Sequence, residues 1–183
     1  MTTTAGDVQS AGMSGVYREP TPKDLPDIAM IDGQAFRDSR YPFFVLKQLL
    51  EAHSERSVVA VETDENGEEK VVGYALTIGE GKRAWLISLA VSPDRRGRGH
   101  GERLLRRSVE LCQEKPDVDE VRLTVDPKNE HAYHLFKNFG FQFHEHDERY
   151  FGDNEPRDVL IFTLRDRAAE LPVDGHENGY AGP

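Results

Sequence analysis

An α/β domain built on one mixed sheet is the fold class this sequence predicts, and three observations carry it. Strand-type and helix-type stretches alternate in the order β-α-α-β-β-β-α-β-α-β-β, giving a central sheet of about seven strands flanked by about four helices. Trp85 to Val91 (WLISLAV) is nearly all apolar, as a central strand covered on both faces would be. Asp64-Glu65-Asn66-Gly67 between two apolar runs carries the strongest short-range hairpin signal, Asn-Gly.

Each element has a local reason. Val16 to Arg18 is a short strand. Thr21 suits an N-cap, Pro22 the first helical position, and Asp24 the positive helix end. That helix runs to about Phe36, with Leu25, Ile28, Ile31 and Phe36 near one side. Tyr41-Pro42 stops it, and a second helix runs from about Pro42 to His53. Ser57 to Glu62 and Val71 to Ile78 are the strands either side of the Asn-Gly turn. Gly99 to about Glu114 is a helix with Leu104, Leu105, Val109 and Leu111 inward, ended by Pro116. Val121 to Val125 alternates as a half-buried strand. Asn129 to Asn138 is a helix capped by Gly140, and Phe141 to Tyr150 and Asp158 to Leu164 are the last strands. Trp85, Phe141 and Phe143 are expected in the core.

The chain has 183 residues, 37% hydrophobic and 31% charged, which points to one domain with tails. Residues 1–14 and 166–183 read as disordered tails around a domain at 15–165. A formal net charge of −10 argues against nucleic acid as a partner, because phosphate binding is driven by Lys and Arg. It suits a cationic acceptor or plain solubility. One cysteine, Cys112, allows no internal disulfide. No signal pattern and no apolar run of about 20 residues is present, so no membrane partner and a cytoplasmic location are expected. Monomer and homodimer stay open.

The chemistry concentrates in Val91-Ser92-Pro93-Asp94-Arg95-Arg96-Gly97-Arg98-Gly99-His100-Gly101-Glu102-Arg103. An apolar strand ends, a Gly-rich turn follows, and a helix begins. The first N–H groups of a helix have no intrahelical partner and carry the positive end of its dipole, so a diphosphate fits there. Glycines keep Cβ atoms away, and Arg95, Arg96 and Arg98 add charge. Walker A needs Gly-Lys-Ser/Thr, which is missing, and the dinucleotide fingerprint fails at Glu102. What remains is Arg-x-x-Gly-x-Gly at Arg96, Gly99 and Gly101.

That spacing resembles the acyl-CoA signature of the GCN5-related N-acetyltransferase (GNAT) superfamily. Asn129-x-x-Ala132-x-x-Leu135-Phe136-x-x-x-Gly140-Phe141 is similar to the same family's later helix. The resemblance covers about Val16 to Leu164 and implies the GNAT fold, with acetyl-CoA as co-substrate and an amine, peptide or small molecule, as acceptor. Backbone groups of Leu89, Ala90 and Val91 would pair with the pantetheine arm. The N–H groups of Gly97, Arg98, Gly99, His100, Gly101 and Glu102, beside Arg96, would hold the pyrophosphate. Asn129 would hydrogen-bond the cofactor near its arm, Ala132 and Phe136 would line its side, and Arg103, on a helix face read first as solvated, could reach its 3′-phosphate. Tyr41-Pro42-Phe43-Phe44 and Tyr150-Phe151-Gly152-Asp153-Asn154-Glu155 resemble the acceptor loops of the RimI-like protein N-terminal acetyltransferases, making Tyr41, Phe43, Phe44 and Tyr150 candidate acceptor contacts.

The match breaks at the proton-handling positions. Where RimI-like enzymes have an acidic Tyr, this chain has Phe136, and where they carry a Glu base, it has Thr124. Tyr150, Tyr133 and Asp126 are the replacement candidates. His144-Glu145-His146-Asp147 offers two imidazoles on one strand face, too few for a closed metal site, so no metal is expected. The reading that follows is acetyl transfer to an amine by direct transfer in a ternary complex. A non-catalytic acyl-CoA sensor and a bare phosphate-binding domain are the alternatives.

Overall fold

The computed structural model describes residues 15–64 and 66–164, so the expected tails lie outside the described residues. The elements are β1 (Val16–Arg18), α1 (Leu25–Phe36), α2 (Phe43–His53), β2 (Val58–Thr63), β3 (Glu69–Glu80), β4 (Arg83–Val91), α3 (His100–Gln113), β5 (Glu120–Val125), α4 (Glu130–Phe139), β6 (Gln142–Asp147) and β7 (Arg157–Thr163). The sheet order is β1-β2-β3-β4-β5-β7-β6. Every neighbouring pair is antiparallel except β4 with β5. The parallel pair is the one joined through a helix, as a crossover connection requires.

Two apolar clusters cover the two faces. Under α3 and α4 lie Leu104, Leu105, Val109, Cys112, Val121, Leu123, Val125, Phe136 and Phe141. Under α1 and α2 lie Leu25, Ile28, Ile31, Leu46, Val59, Val61 and Tyr74. Phe141 sits within 5.4–6.0 Å of the Phe136, Phe139 and Phe162 rings and is 1% exposed. Phe141→Ala should therefore destabilise the fold by about 3–5 kcal/mol, read from urea unfolding. Burial pushes the Cys112 thiol up to about 11, which leaves it packed and unreactive.

Thr21 begins the first helical turn among the described residues, as expected. Its N–H and hydroxyl both donate to the Asp24 carboxylate, which also takes a two-pronged bond from Arg18. The first turn is 3-10, and α1 follows from Leu25. Three core expectations change. Phe143 is 51% exposed because β6 is the sheet edge, with all six of its residues exposed. Trp85 is half-buried, with the Arg122 guanidinium 5.9 Å above its ring. Phe36 closes α1 at the surface, 38% exposed. The last expected strand is also shorter: β6 stops at Asp147, so Tyr150 lies in the turn beyond it.

What positions the site is a fork in the sheet. β4 pairs with β3 along its whole length, from Arg83↔Glu80 to Val91↔Gly73. On its other side it pairs with β5 for four rungs only, ending at Leu86↔Leu123. A β-bulge at Ile87, opposite Leu76 and Thr77, falls where the two strands part. The bulge also switches faces. Ala84 and Leu86 join the cluster under α3 and α4, whereas Ala90, with Ile87 packed beside it, belongs to the cluster under α1 and α2.

Candidate active site

Beyond Leu86 the β5-facing side of β4 has no ladder partner. A row of backbone donors and acceptors at 87–91 therefore lines one arm of the fork, with the form of an edge that accepts an extended chain. Leu89 and Val91 lean on the core under α3, which keeps that edge rigid. At its end the chain makes a 3-10 turn at Pro93–Arg95 and enters α3.

Gly97 and Gly99 have φ of 75° and 82°, in the left-handed region that only glycine takes freely, and Gly99 is the residue that caps α3. A Cβ at Gly97 would meet nothing within 4 Å. These glycines are thus dictated by backbone conformation, and the space above Gly97 is open. Gly101 differs: a Cβ there would touch Leu135 at 3.6 Å. That approach brings the two sequence motifs together, because Leu135 belongs to the helix that starts at Asn129.

The arginines divide. Arg95 donates to Glu62 at 2.8 Å and to Asp94 at 2.6 Å, so its charge is engaged within the protein and is not offered to a ligand as expected. Arg96 lies exposed, with its Nε on the Val91 carbonyl at 3.2 Å. His100 is 2% exposed, and its imidazole is turned inward. It meets the Tyr17 hydroxyl at 2.8 Å and the Glu62 carboxylate at 2.9 Å, leaving only its backbone N–H facing the turn. Glu62 thereby ties the phosphate-type loop, through Arg95, and the helix start, through His100, to β2. Burial pushes the Glu62 carboxyl up, but the bonds from Arg95 and His100 outweigh it and hold it below the ordinary range. A lowered folded pKa gives stability that is present above the unfolded pKa and is lost as pH falls through the folded one. Glu62→Ala should cost about 2–3 kcal/mol, by leaving the buried His100 nitrogen unpartnered, and should flatten acid unfolding below about pH 4.5. Chemical denaturation across pH reads both.

Asn129 caps α4 through its side-chain oxygen, which accepts from the Ala132 N–H at 3.2 Å. Ala132 is half-buried and Phe136 is 8% exposed within the aromatic core. Of the three proton-handling candidates, Tyr133 faces Asp158. Asp126 accepts the Lys128 N–H at 2.9 Å in a tight turn. The half-buried Tyr150 packs edge-on to Phe151 at 4.9 Å. On the other loop, Tyr41 is half-buried, whereas Phe43 and Phe44 are 53% and 65% exposed. The strand-face pairing of His144 with His146 is interrupted by a bulge between Phe143 and Glu145. His146 instead meets the buried Asp158 carboxylate at 2.6 Å, a bond that raises the imidazole pKa.

Residues 19–141 match the family model of the acetyltransferase (GNAT) family. The chain belongs to this family. Among characterised or named relatives it is 39% identical over 81 residues to a candidate ribosomal protein bS18-alanine N-acetyltransferase of Bacillus subtilis (strain 168). That match covers 44% of this chain and 52% of the relative. It is 30% identical over 94 residues to N-alpha-acetyltransferase 50 of Danio rerio, covering 51% and 56%. The chain spans about half the length of these curated relatives. In fold it resembles the crystal structure of the NatC complex bound to Gag peptide and CoA, with a TM-score of 0.75 at 20% identity over 84% of this chain and 100% of that one. The GNAT fold and its mixed seven-stranded sheet with four α-helices are those expected from the sequence.

Sequence reasoning missed Glu62, Tyr17, Asp32, Tyr74 and Ser88. Asp32 left a signal: it stands four residues after Ile28 on the buried stripe of α1, where an acid needs a partner.

Proposed function

We propose that this GNAT-family protein is an acetyl-CoA-dependent N-acetyltransferase acting on the α-amine of a peptide or on a small amine, by direct transfer in a ternary complex. The fork carries this reading: β4 continues past Leu86 without β5, and the unpaired edge runs directly into a positive-φ glycine turn and a helix N-terminus. A linear arm ending in a diphosphate has the shape of that path. Leu89, Ala90 and Val91 would bind the pantetheine arm through backbone groups. The N–H groups from Gly97 to Glu102 would hold the diphosphate, with Arg96 at its side. Asn129, Ala132 and Phe136 would close the arm's other side, and Tyr41, Phe43, Phe44 and Tyr150 would meet the acceptor. The curated relatives, named as a candidate ribosomal protein bS18-alanine N-acetyltransferase and an N-alpha-acetyltransferase, support a peptide acceptor. The lone, buried Cys112 supports a reducing, cytoplasmic setting.

In the transfer the amine nitrogen attacks the thioester carbonyl, the carbon–sulfur bond breaks, and the sulfur leaves as thiolate while the nitrogen's proton passes to solvent. Phe136 cannot give the sulfur a proton. A thiolate, from a thiol of pKa near 8.5, leaves without that help. A backbone N–H on the free β4 edge would polarise the carbonyl, and positioning would supply much of the rate.

Purified protein mixed with acetyl-CoA and a panel of alanine-initiated peptide, polyamine and free amino acid should release CoA with at least one of them. Tight acetyl-CoA binding in calorimetry without release from any member would instead favour a sensor. Competition by ADP as strong as by CoA would favour a bare phosphate site.

A further inference from the structure

On the α1 side of the fork, a line of buried polar groups connects the Tyr41–Phe44 loop to β4. Asp32 on α1 is fully buried. One of its carboxylate oxygens accepts the Tyr41 backbone N–H at 2.7 Å. The other accepts the Tyr74 hydroxyl. Tyr74, on β3, is 1% exposed, and its hydroxyl lies 2.8 Å from Ser88 Oγ. Because Tyr74 donates to Asp32, Ser88 donates to Tyr74. Ser88 stands on β4 next to the bulge, two residues past the last β4–β5 rung.

Three features separate this line from ordinary core polarity. Among the described residues no cation pairs with Asp32, so two hydrogen bonds alone hold this buried acid, a costly arrangement to bury. Burial and the Asp32 carboxylate together push the Tyr74 phenol well above its ordinary pKa, so it stays a donor. The segment that Asp32 grips is strained: Arg37 leaves α1 at φ 48°, ψ −107° and opens a 3-10 turn at Arg37–Ser39. A non-glycine residue holds such a conformation only where its surroundings fix it. The Tyr41 N–H is bound to Asp32 one residue before the Pro42 that caps α2, and so immediately before Phe43 and Phe44.

We propose that Asp32 is a positioning residue for the acceptor, setting the Tyr41–Phe44 loop against β4 through the Tyr41 N–H on one side and the Tyr74–Ser88 bridge on the other. This rests on the acetyl-transfer reading above. Asp32 touches no reacting atom in this account. It fixes where the acceptor's first residue meets the fork, and its bonds go to Tyr41 and Tyr74 and not to the diphosphate turn that follows Val91.

The substitutions separate position from charge. Asp32→Asn is nearly isosteric: its oxygen keeps the Tyr41 N–H, and its amide donates to a Tyr74 hydroxyl turned toward Ser88. Asp32→Ala keeps neither bond. With acetyl-CoA and an alanine-initiated hexapeptide, Asp32→Ala should lower kcat/KM for the peptide by about 10–100-fold, mainly through KM, while the acetyl-CoA KM stays within about twofold. Asp32→Asn should restore the peptide kcat/KM to within about threefold of wild type. Independently of any variant, the Tyr41 amide, which lies outside helix and strand, should exchange with deuterium at least about 100-fold slower than an open loop amide. That measurement stands even if Asp32→Ala does not fold. The proposal is overturned by a Tyr41 amide that exchanges freely, by an Asp32→Ala enzyme with near wild-type peptide kinetics, or by equal losses toward peptide and acetyl-CoA. A wild-type protein that transfers acetyl to nothing removes the underlying reading instead, and the exchange result then reports only whether the loop is held.

Discussion

Gly99→Val is expected to raise the acetyl-CoA KM by about tenfold or more while the protein still folds. Gly99 caps α3 at φ 82°. A non-glycine residue there costs roughly 1–2 kcal/mol, and a β-branched one sits at the upper end. Its Cβ would come no nearer to the protein than Arg103 Nε at 4.0 Å. The harm is therefore conformational: the turn must rotate, and the N–H groups that converge at the helix start no longer point together. Each 1.4 kcal/mol of lost binding is about a factor of ten. Gly140→Val makes the control. Gly140 has φ 119°, and a Cβ there would press on Phe162 at 3.1 Å, away from the turn. It should lower the urea midpoint and leave the acetyl-CoA KM close to wild type. If both variants behaved alike, the turn would have no special role.

The second large effect is in pH. With Phe136 and Thr124 at the usual proton-handling positions, the proposed transfer draws on the acceptor's own neutral amine. An α-amine of pKa about 7.7–8.0 is neutral to only a few per cent at pH 6 and by more than half at pH 8. kcat/KM for an alanine-initiated peptide should thus rise about 40-fold between those pH values and level off above the amine's own pKa. A lysine side chain near pKa 10.4 has a neutral fraction roughly 200–300-fold smaller at pH 7.5, so it should be acetylated correspondingly more slowly. A profile already flat by pH 6.5, or a bell set by an enzyme group, would show that the protein supplies a base after all.

Much of this was legible in the chain, and the reasons are physical. Helix starts, glycine caps and the Asn-Gly turn are local, so Thr21, Gly140 and Gly67 announced themselves. The glycine turn was legible too, because positive φ restricts the residue type. Edge and bulge are not local. Nothing in Gln142–Asp147 says that no strand will cover its outer side, and so Phe143 was expected inside and lies outside. The role of His100 was equally hidden. Its position in the motif pointed to its backbone N–H and said nothing of its ring, which is held by Tyr17 and Glu62, 83 and 38 residues away in sequence. Long-range polar pairing is decided by topology, and it is topology that also joined Asp32 to Ser88.

One measurement tests the central claim most directly. A peptide with a free alanine N-terminus and one internal lysine is incubated at pH 7.5 with acetyl-CoA and the purified protein, and the site of acetylation is located by tandem mass spectrometry while free CoA is titrated. The account predicts CoA release matched by acetyl on the α-amine. Acetyl appearing on the lysine first, or acetyl-CoA bound tightly with no CoA released toward this peptide or toward a polyamine and a free amino acid tried beside it, would contradict it.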